Sequence, residues 1–333
     1  MIKIENLVKQ YGDKYAVNDI SFTLGDGEIV GFLGPNGAGK STTMNMITGY
    51  LSSTSGNVII DGFDILENTA EAKKLIGYLP EQPPLYLDMT VDEYLNFVYE
   101  LKKCTFNREK HLNEICEVVK LSDVRGRIIG HLSKGYRQRV GIAQAIIGNP
   151  KVIVLDEPTV GLDPKQIIEI RNLIRMLGRD HTVILSTHIL SEVQATCDRV
   201  IVINKGRIVA DEKTEELGAK MGGKRRLSVK ICGNPKEISP ALQNISGVTF
   251  VEALAEHELD STTFVVESSE GLDIRKPLFN LLAEKGWAIL GMEELGMNLE
   301  DVFLSLIDVA EAGNKIKKKK IKINKADTSA DAQ

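Results

Sequence analysis

The chemistry in this chain is concentrated first in Gly34-Pro35-Asn36-Gly37-Ala38-Gly39-Lys40-Ser41-Thr42, which follows the apolar run IVGFL and leads into a segment of helical character. The spacing G-x-x-x-x-G-K-[ST] suits a turn that cradles phosphate groups. Gly34, Gly37 and Gly39 are expected to let the backbone take positive φ and approach an anion, so that successive N–H groups point inward. A helix beginning near Lys40 adds its positive N-terminal end. Lys40 is then expected to reach the β- and γ-phosphates of a nucleoside triphosphate, and the Ser41 hydroxyl to coordinate Mg²⁺. A turn that only joined a strand to a helix would need neither the Lys-Ser pair nor three glycines.

A second group of acids lies at Asp156-Glu157, closing the apolar run Val152-Ile-Val-Leu155. Two adjacent carboxylates at the mouth of a buried strand repel and lose hydration, so a purely structural pair is a poor account of them. Side chains alternate along a strand, so the two can divide the work: Asp156 to hold Mg²⁺, usually through water, and Glu157 to orient and partly deprotonate an attacking water. The neighbouring strand Thr182–Leu185 ends in Ser186-Thr187-His188, which places His188 to touch a γ-phosphate. Glu81 and Gln82 are followed by Pro83-Pro84, which can be neither helix nor interior strand, so both sit on a stiff exposed loop. Ser133 reads as a helix N-cap with Gly135 in the first turn. Tyr11, expected in the loop after the first strand, reads either as a packed surface aromatic or as a platform for a nucleobase.

Several elements must position these groups. Residues 1–31 form three short runs, IKIENLV, YAVNDISFTL and GEIVGFL, separated by Gly12-Asp13 and Gly25-Asp26-Gly27, which predicts antiparallel strands joined by tight turns. Further strands are expected at Asn57–Ile60 and Ile76–Leu79, with a helix over Glu71–Ile76. Thr90 and Glu93 form a capping box ahead of Val91, Tyr94, Leu95 and Val98, and a second helix carries Leu112, Ile115, Cys116 and Val119. About forty residues before position 131 therefore form a helical insert. Gly161-Leu-Asp163-Pro164 is a turn, and Val200–Ala210 a hairpin turning at Asn204-Lys-Gly206.

The 333 residues exceed one typical domain, and a hydrophobic fraction of 43% with 26% charged residues is ordinary for a globular chain. A net charge of −5 argues against nucleic acid as the main partner. The N-terminus is broken by charges before a secretory h-region could form, and no stretch approaches the roughly 20 apolar residues of a membrane span. Cys104, Cys116, Cys197 and Cys232 are scattered, as reduced thiols of a cytosolic protein would be.

With these motifs in order, residues 1–218 resemble the nucleotide-binding subunit of an ATP-binding cassette (ABC) transporter. The resemblance rests on Tyr11, the phosphate loop 34–42, the proline-flanked loop at 81–82, LSKGYRQR at 132–139, VIVLDEP at 152–158, GLDP at 161–164 and His188. It implies an α/β phosphate-loop NTPase fold, a mixed sheet core with an antiparallel β subdomain and a helical subdomain at about 85–150. It further implies that ATP and Mg²⁺ are bound, that Tyr11 stacks on adenine and that His188 senses the γ-phosphate. Ser133 and Gly135 would contact ATP held by a second cassette in a head-to-tail homodimer or heterodimer, with Asp163 linking the two sites. Lys134 and Tyr136 depart from the commonest signature, and Glu81 stands where glutamine is usual, with Gln82 one place later; either could be the metal-contacting residue. Both variants resemble those of bacterial cassettes that serve exporters with a separate transmembrane permease.

Residues 225–308 read as a small α+β domain after a linker at 218–224, with strands at Leu227–Ile231, Phe250-Val251, Phe264–Val266 and Trp287–Leu290 and helices at Arg275–Lys285 and Asn298–Leu306. Its closing NLEDVFLSL resembles accessory domains of exporter-type cassettes. The lysine-rich tail, 309–333, is either solvated or drawn to anionic lipid at the cytoplasmic face of the cell membrane. The expected activity is transport-coupled ATP hydrolysis. A soluble ABC ATPase of DNA repair or translation is the rival class, but it needs two cassettes in one chain or long coiled-coil arms, and neither is present here.

Overall fold

The computed structural model describes residues 1–216, 226–258, 260–269 and 272–295. The expected linker at 218–224, the helix at Asn298–Leu306 and the lysine-rich tail lie outside them. The chain divides into two compact units, Met1–Thr214 and Glu215–Gln333.

The first unit holds two sheets. Strands β1 (Ile2–Tyr11), β2 (Lys14–Leu24), β4 (Ser55–Ile60) and β5 (Phe63–Asp64) form an antiparallel sheet in the order β2-β1-β4-β5. The second sheet has the order β10-β9-β3-β8-β7-β6, with β3 (Ile29–Leu33), β6 (Ile76–Leu79), β7 (Val152–Asp156), β8 (Thr182–Thr187), β9 (Arg199–Asn204) and β10 (Arg207–Lys213). Its strands run parallel except at the β9–β10 hairpin. The expectation that all three N-terminal strands pair antiparallel is therefore corrected: β1 and β2 form the hairpin, but the Gly25–Gly27 turn carries the chain into the other sheet. The reason is composition. In β2 buried and exposed positions alternate through its C-terminal half, whereas every residue of β3, β7 and β8 is buried, the pattern of strands covered on both faces.

The α-helices that flank these strands are α1 (Lys40–Ile47), α2 (Thr69–Lys74), α3 (Val91–Leu101), α4 (Arg108–Val118), α5 (Lys134–Ile146), α6 (Pro164–Leu177) and α7 (Leu190–Thr196). Met44, Met46 and Ile47 of α1 join one core with Ile2, Ile4 and Leu7 of the first sheet and Phe32, Val154 and Ile184 of the second. Each such side chain contributes roughly 1.5–3 kcal/mol on burial, so α1, and the loop before it, is clamped between the sheets. The Thr90–Glu93 capping box forms as expected, and Asn107 caps α4. One contact point joins three distant segments. A Cβ on Gly39 or on Gly206 would lie 2.5 Å or 2.8 Å from the Ala16 carbonyl oxygen, Asn18 N–H donates to Gly206 O at 2.7 Å and Gly206 N–H to Ala38 O at 2.8 Å.

The second unit is an antiparallel sheet in the order β12-β13-β11-β14, built from β11 (Arg226–Cys232), β12 (Val248–Glu258), β13 (Ser261–Ser268) and β14 (Ile289–Leu295). Leu227, Val229 and Ile231 alternate inward as their spacing predicts, meeting Ile238 and Leu242 of α8 (Pro235–Gln243) and Leu278 and Leu282 of α9 (Arg275–Lys285). Helix α8 escaped the sequence reading because Pro235 and Pro240 look like breaks, yet Pro235 occupies the first helical turn, where a missing N–H costs little. The last strand begins at Ile289, and Trp287 instead packs against the core. Cys116 and Cys197 are buried, Cys104 and Cys232 half-buried, and all four are free. Among the described residues no helix is long and apolar enough to cross a membrane.

Candidate nucleotide-binding site

At the carboxyl ends of β3, β7 and β8 lies a cleft of about 490 Å³, lined by Ala16, Asn36, Gly37, Gly39, Lys40, Ser41, Thr42, Glu81, Glu157, Val160 and His188. Its floor is the turn between β3 and α1. The three loop glycines serve different needs. Gly37 (φ +78°) and Gly39 (φ +111°) do occupy positive φ. Gly34 does not, which corrects the expectation; a Cβ there would stand 2.4 Å from the Ile203 carbonyl oxygen, so it is needed for close approach to β9. Pro35 and Ala38 close the turn through an Ala38 N–H to Pro35 O bond of 3.1 Å.

Lys40 is only 6% exposed. Its ammonium donates to Gly34 O at 2.8 Å and lies 3.6 Å from Glu157 Oε1. The positive charge is thus held beside the loop amides where an incoming phosphate would meet it. Glu157, 7% exposed, lies just beyond β7 with φ +49°. That unusual backbone turns its carboxylate toward β8, where both oxygens contact His188 Nδ1 at 2.9–3.0 Å. The expectation that His188 stands beside the acidic strand is met by the parallel pairing of β7 and β8.

Asp156 faces elsewhere. It is 2% exposed, its Oδ1 has no hydrogen-bond partner, and it lines a neighbouring groove of about 890 Å³ with Ser41, Tyr78, Glu81, Gln82 and Gln144. Burial, and secondarily the Asp156 charge, push the Tyr78 phenol well above its usual range; its hydroxyl donates to Asn45 Oδ1 at 3.0 Å. Ser41 and Glu81 line both cavities, whereas Gln82 lines only the groove. A hydroxyl, an orphaned buried carboxylate oxygen and a second carboxylate at the junction are oxygen donors that fit Mg²⁺. No group of three His, Cys, Asp or Glu among the described residues could hold a metal unaided, so phosphates and water would complete the set.

Outside the phosphate loop, four expected residues line neither this cleft nor the groove. Tyr11 is the last residue of β1 rather than a loop residue; it is 54% exposed with the Lys9 ammonium 5.2 Å from its ring centre. Ser133 caps α5, its hydroxyl accepting from Tyr136 N–H at 3.4 Å. Gly135 is pressed against Gln166, whose side chain lies 2.6 Å from where a Cβ would be. Asp163 caps α6, accepting from Gln166 N–H at 2.9 Å, with Pro164 in the first turn. The 132–136 and 161–166 segments thus touch within one chain. Sequence reasoning missed Glu192, a fully buried acid that joins Thr159 to Thr187; in sequence it is an ordinary acid in the first turn of a helix.

Comparison with known proteins agrees with this geometry. The ABC transporter family profile matches residues 17–160. The linearmycin resistance ATP-binding protein LnrL of Bacillus subtilis is 33% identical over 92% of this chain and 98% of its own length. The bacitracin transport ATP-binding protein BcrA of Bacillus licheniformis is 31% identical over 92% and 97%. Among solved structures, the ATP-binding cassette MJ0796, dimeric in a post-hydrolysis state with ADP and Pi, superposes with a TM-score of 0.59 at 29% identity, covering 64% of this chain and 99% of that one. With the glycine-cradled lysine, the paired strand-end acids and relatives matched along nearly their whole length, the chain belongs to the ATP-binding, ATP-hydrolysing subunits of ABC transporters.

Proposed function

We propose that two cassettes, this chain and a second copy or a close relative, close head to tail around two ATP molecules and drive a separate transmembrane permease in the export direction. The observation that carries the hydrolytic part is the placement of the Glu157 carboxylate 2.9 Å from His188 Nδ1 and 3.6 Å from the Lys40 ammonium, in one cleft. The loop amides and Lys40 bind the β- and γ-phosphates, competing with Glu157 for the ammonium. Glu157 accepts a proton from the attacking water, and His188 steadies that carboxylate and reaches the γ-phosphate. Ser41, Asp156 and Glu81 would hold Mg²⁺, which would supply neutralisation of the phosphate charge. Glu81, like Ser41, stands at the junction of the cleft with the groove that holds Asp156, which supports Glu81 over Gln82 as the loop ligand.

Tyr11 stacks on adenine, while Ser133 and Gly135 complete the partner's nucleotide site with Asp163 bridging the two. The exposure of Ser133, at a helix N-terminus outside its own cleft, supports this reading. Export is supported by the resistance and transport named for LnrL and BcrA. The subunit would sit at the cytoplasmic face of the membrane, with the lysine-rich tail on anionic lipid at roughly 1 kcal/mol per lysine near the surface.

The test is Glu157→Gln in the full chain. ATP binding should persist, the ATP-bound dimer should outlast that of the parent on size-exclusion chromatography, and turnover should fall about 10²–10⁴-fold. Near-normal turnover would remove Glu157 from the role of base. Capture from solubilised membranes should recover a polytopic protein; an ATPase stimulated instead by DNA or ribosomes would point to the soluble class.

A further inference from the structure

Behind the cleft, outside the groups that meet nucleotide, lies a carboxylate with no exposure at all. Glu192 sits in the first turn of α7. Its Oε2 accepts a hydrogen bond from the Thr187 hydroxyl at 2.9 Å, and its Oε1 accepts one from the Thr159 hydroxyl. Thr159 and Thr187 are themselves 2% and 0% exposed. The Thr187 hydroxyl also accepts from Ile189 N–H at 3.1 Å, which fixes its own proton toward Glu192. Arg171 of α6 brings a guanidinium nitrogen to 3.9 Å, while its Nε has no hydrogen-bond partner.

The placement of the two threonines gives this cluster its meaning. Thr159 follows Glu157 by two residues, and Thr187 precedes His188 by one. The backbone already ties the same segments through Glu157 N–H to Ser186 O at 2.9 Å. That bond sets the spacing of the two segments; beyond it the Glu157 loop is closed on itself, through Val160 N–H to Glu157 O at 3.3 Å and Leu162 N–H to Thr159 O at 3.2 Å, so that its side chains carry the tie to the His188 segment. We propose that Glu192 is a positioning residue for hydrolysis: by accepting from Thr159 and Thr187 at once it fixes the Glu157 loop against the His188 loop, and so the contact between the general base and its histidine. This rests on the reading of Glu157 as the base. A carboxylate is suited to the task because it is acceptor-only and can serve both hydroxyls together. Mere filling of this space would be met with less desolvation by an apolar side chain.

The experiment compares full-length Glu192→Ala, Glu192→Gln, the isosteric double variant Thr159→Val/Thr187→Val, and Glu157→Gln. Steady-state ATPase, nucleotide affinity and urea midpoint are measured for each. Glu192→Ala should lower kcat by up to about 10²-fold, the effect of a misplacement near 1 Å, while KM and nucleotide affinity stay within about twofold. Glu192→Gln keeps one acceptor oxygen, and its amide N–H can donate to the other threonine hydroxyl, so both ties survive and most of the rate should be recovered. The double threonine variant should reproduce the loss, and adding Glu192→Ala to it should change kcat by less than about twofold, because the residues act as one unit. In the Glu157→Gln background, Glu192→Ala should leave the residual single-turnover rate unchanged. A parental kcat in the double threonine variant, or in Glu192→Ala with only the urea midpoint lowered, overturns the proposal and leaves Glu192 a packing residue. If Glu192→Ala does not fold, the glutamine and threonine variants decide the matter alone. A normal rate in Glu157→Gln overturns the reading of the base itself, whereas loss there with full rate in the Glu192 and threonine variants overturns only the positioning role.

Discussion

Replacing each glycine of the phosphate loop by alanine should separate the residues that shape the fold from the one that faces the ligand. At Gly39 the new Cβ would sit 2.5 Å from the Ala16 carbonyl oxygen, a backbone atom of β2 that cannot withdraw without disturbing the hairpin, and φ is +111°. Overpacking costs about 1–3 kcal/mol and the forced backbone about 1–3 kcal/mol more, against a total stability of about 5–15 kcal/mol. Gly34→Ala carries the packing cost alone, since its Cβ would meet Ile203 O at 2.4 Å without positive φ. Gly37→Ala carries backbone strain alone, about 1–2 kcal/mol, because nothing lies within 4 Å of its Cβ, and Gly37 lines the cleft. Urea midpoints should therefore rank Gly39→Ala below the other two. Titration with a fluorescent ATP analogue should show Gly37→Ala losing more affinity than its loss of stability accounts for. A Gly37→Ala variant as unstable as Gly39→Ala, or one that binds nucleotide with unchanged affinity, would refute the division.

Lys40→Ala should weaken nucleotide binding itself rather than turnover of bound ATP, as read by the same titration. Glu81→Gln should retain Mg²⁺-dependent turnover through a neutral oxygen ligand, while Glu81→Ala should uncouple hydrolysis from transport in reconstituted vesicles; if Gln82→Ala does so instead, Gln82 is the operative residue. Lys102, at the end of α3, donates to the carbonyls of Gln144, Ala145 and Ile147 at 2.7–3.0 Å, and burial pushes its ammonium down to about 8. The folded chain then binds fewer protons than the unfolded one between that value and about 10.4, so this group's contribution to stability rises with pH across the window, by on the order of 3 kcal/mol in full. Urea midpoints of the parent should gain on those of Lys102→Met from pH 8 to pH 10, and a constant gap would contradict the burial of the charge.

What the sequence disclosed followed from local chemistry. The Lys-Ser pair after spaced glycines, the apolar run ending in two acids and the Thr90–Glu93 cap each announce themselves within about eight residues, and each stands where the residue types require it. What stayed hidden depends on partners distant in the chain. Nothing in GEIVGFL says which sheet receives it, because β3 finds its neighbours β8 and β9 about 150 residues later. Gly34 looks like a conformational glycine until Ile203 is brought against it. Pro240 reads as a break although the helix around it buries Ile238 and Leu242. Glu192 is legible only once β7, β8 and α7 meet, since Thr159 is 33 residues away and Thr187, five residues before it, forms no recognisable pattern with it.

The junction at the Ala16 carbonyl bears on how this protein is made. The oxygen is confined between Gly39 and Gly206, and Ala38 and Asn18 both bond to Gly206. A ribosome delivers the phosphate loop early and the turn at Gly206 much later; at about 5–20 residues per second the interval is roughly 10–30 s. Throughout it the loop lacks the backbone wall that sets its final curvature. Nucleotide can therefore stabilise the finished domain but cannot template its beginning, and a nascent chain halted before β9 should gain no protection from proteolysis when ATP is added.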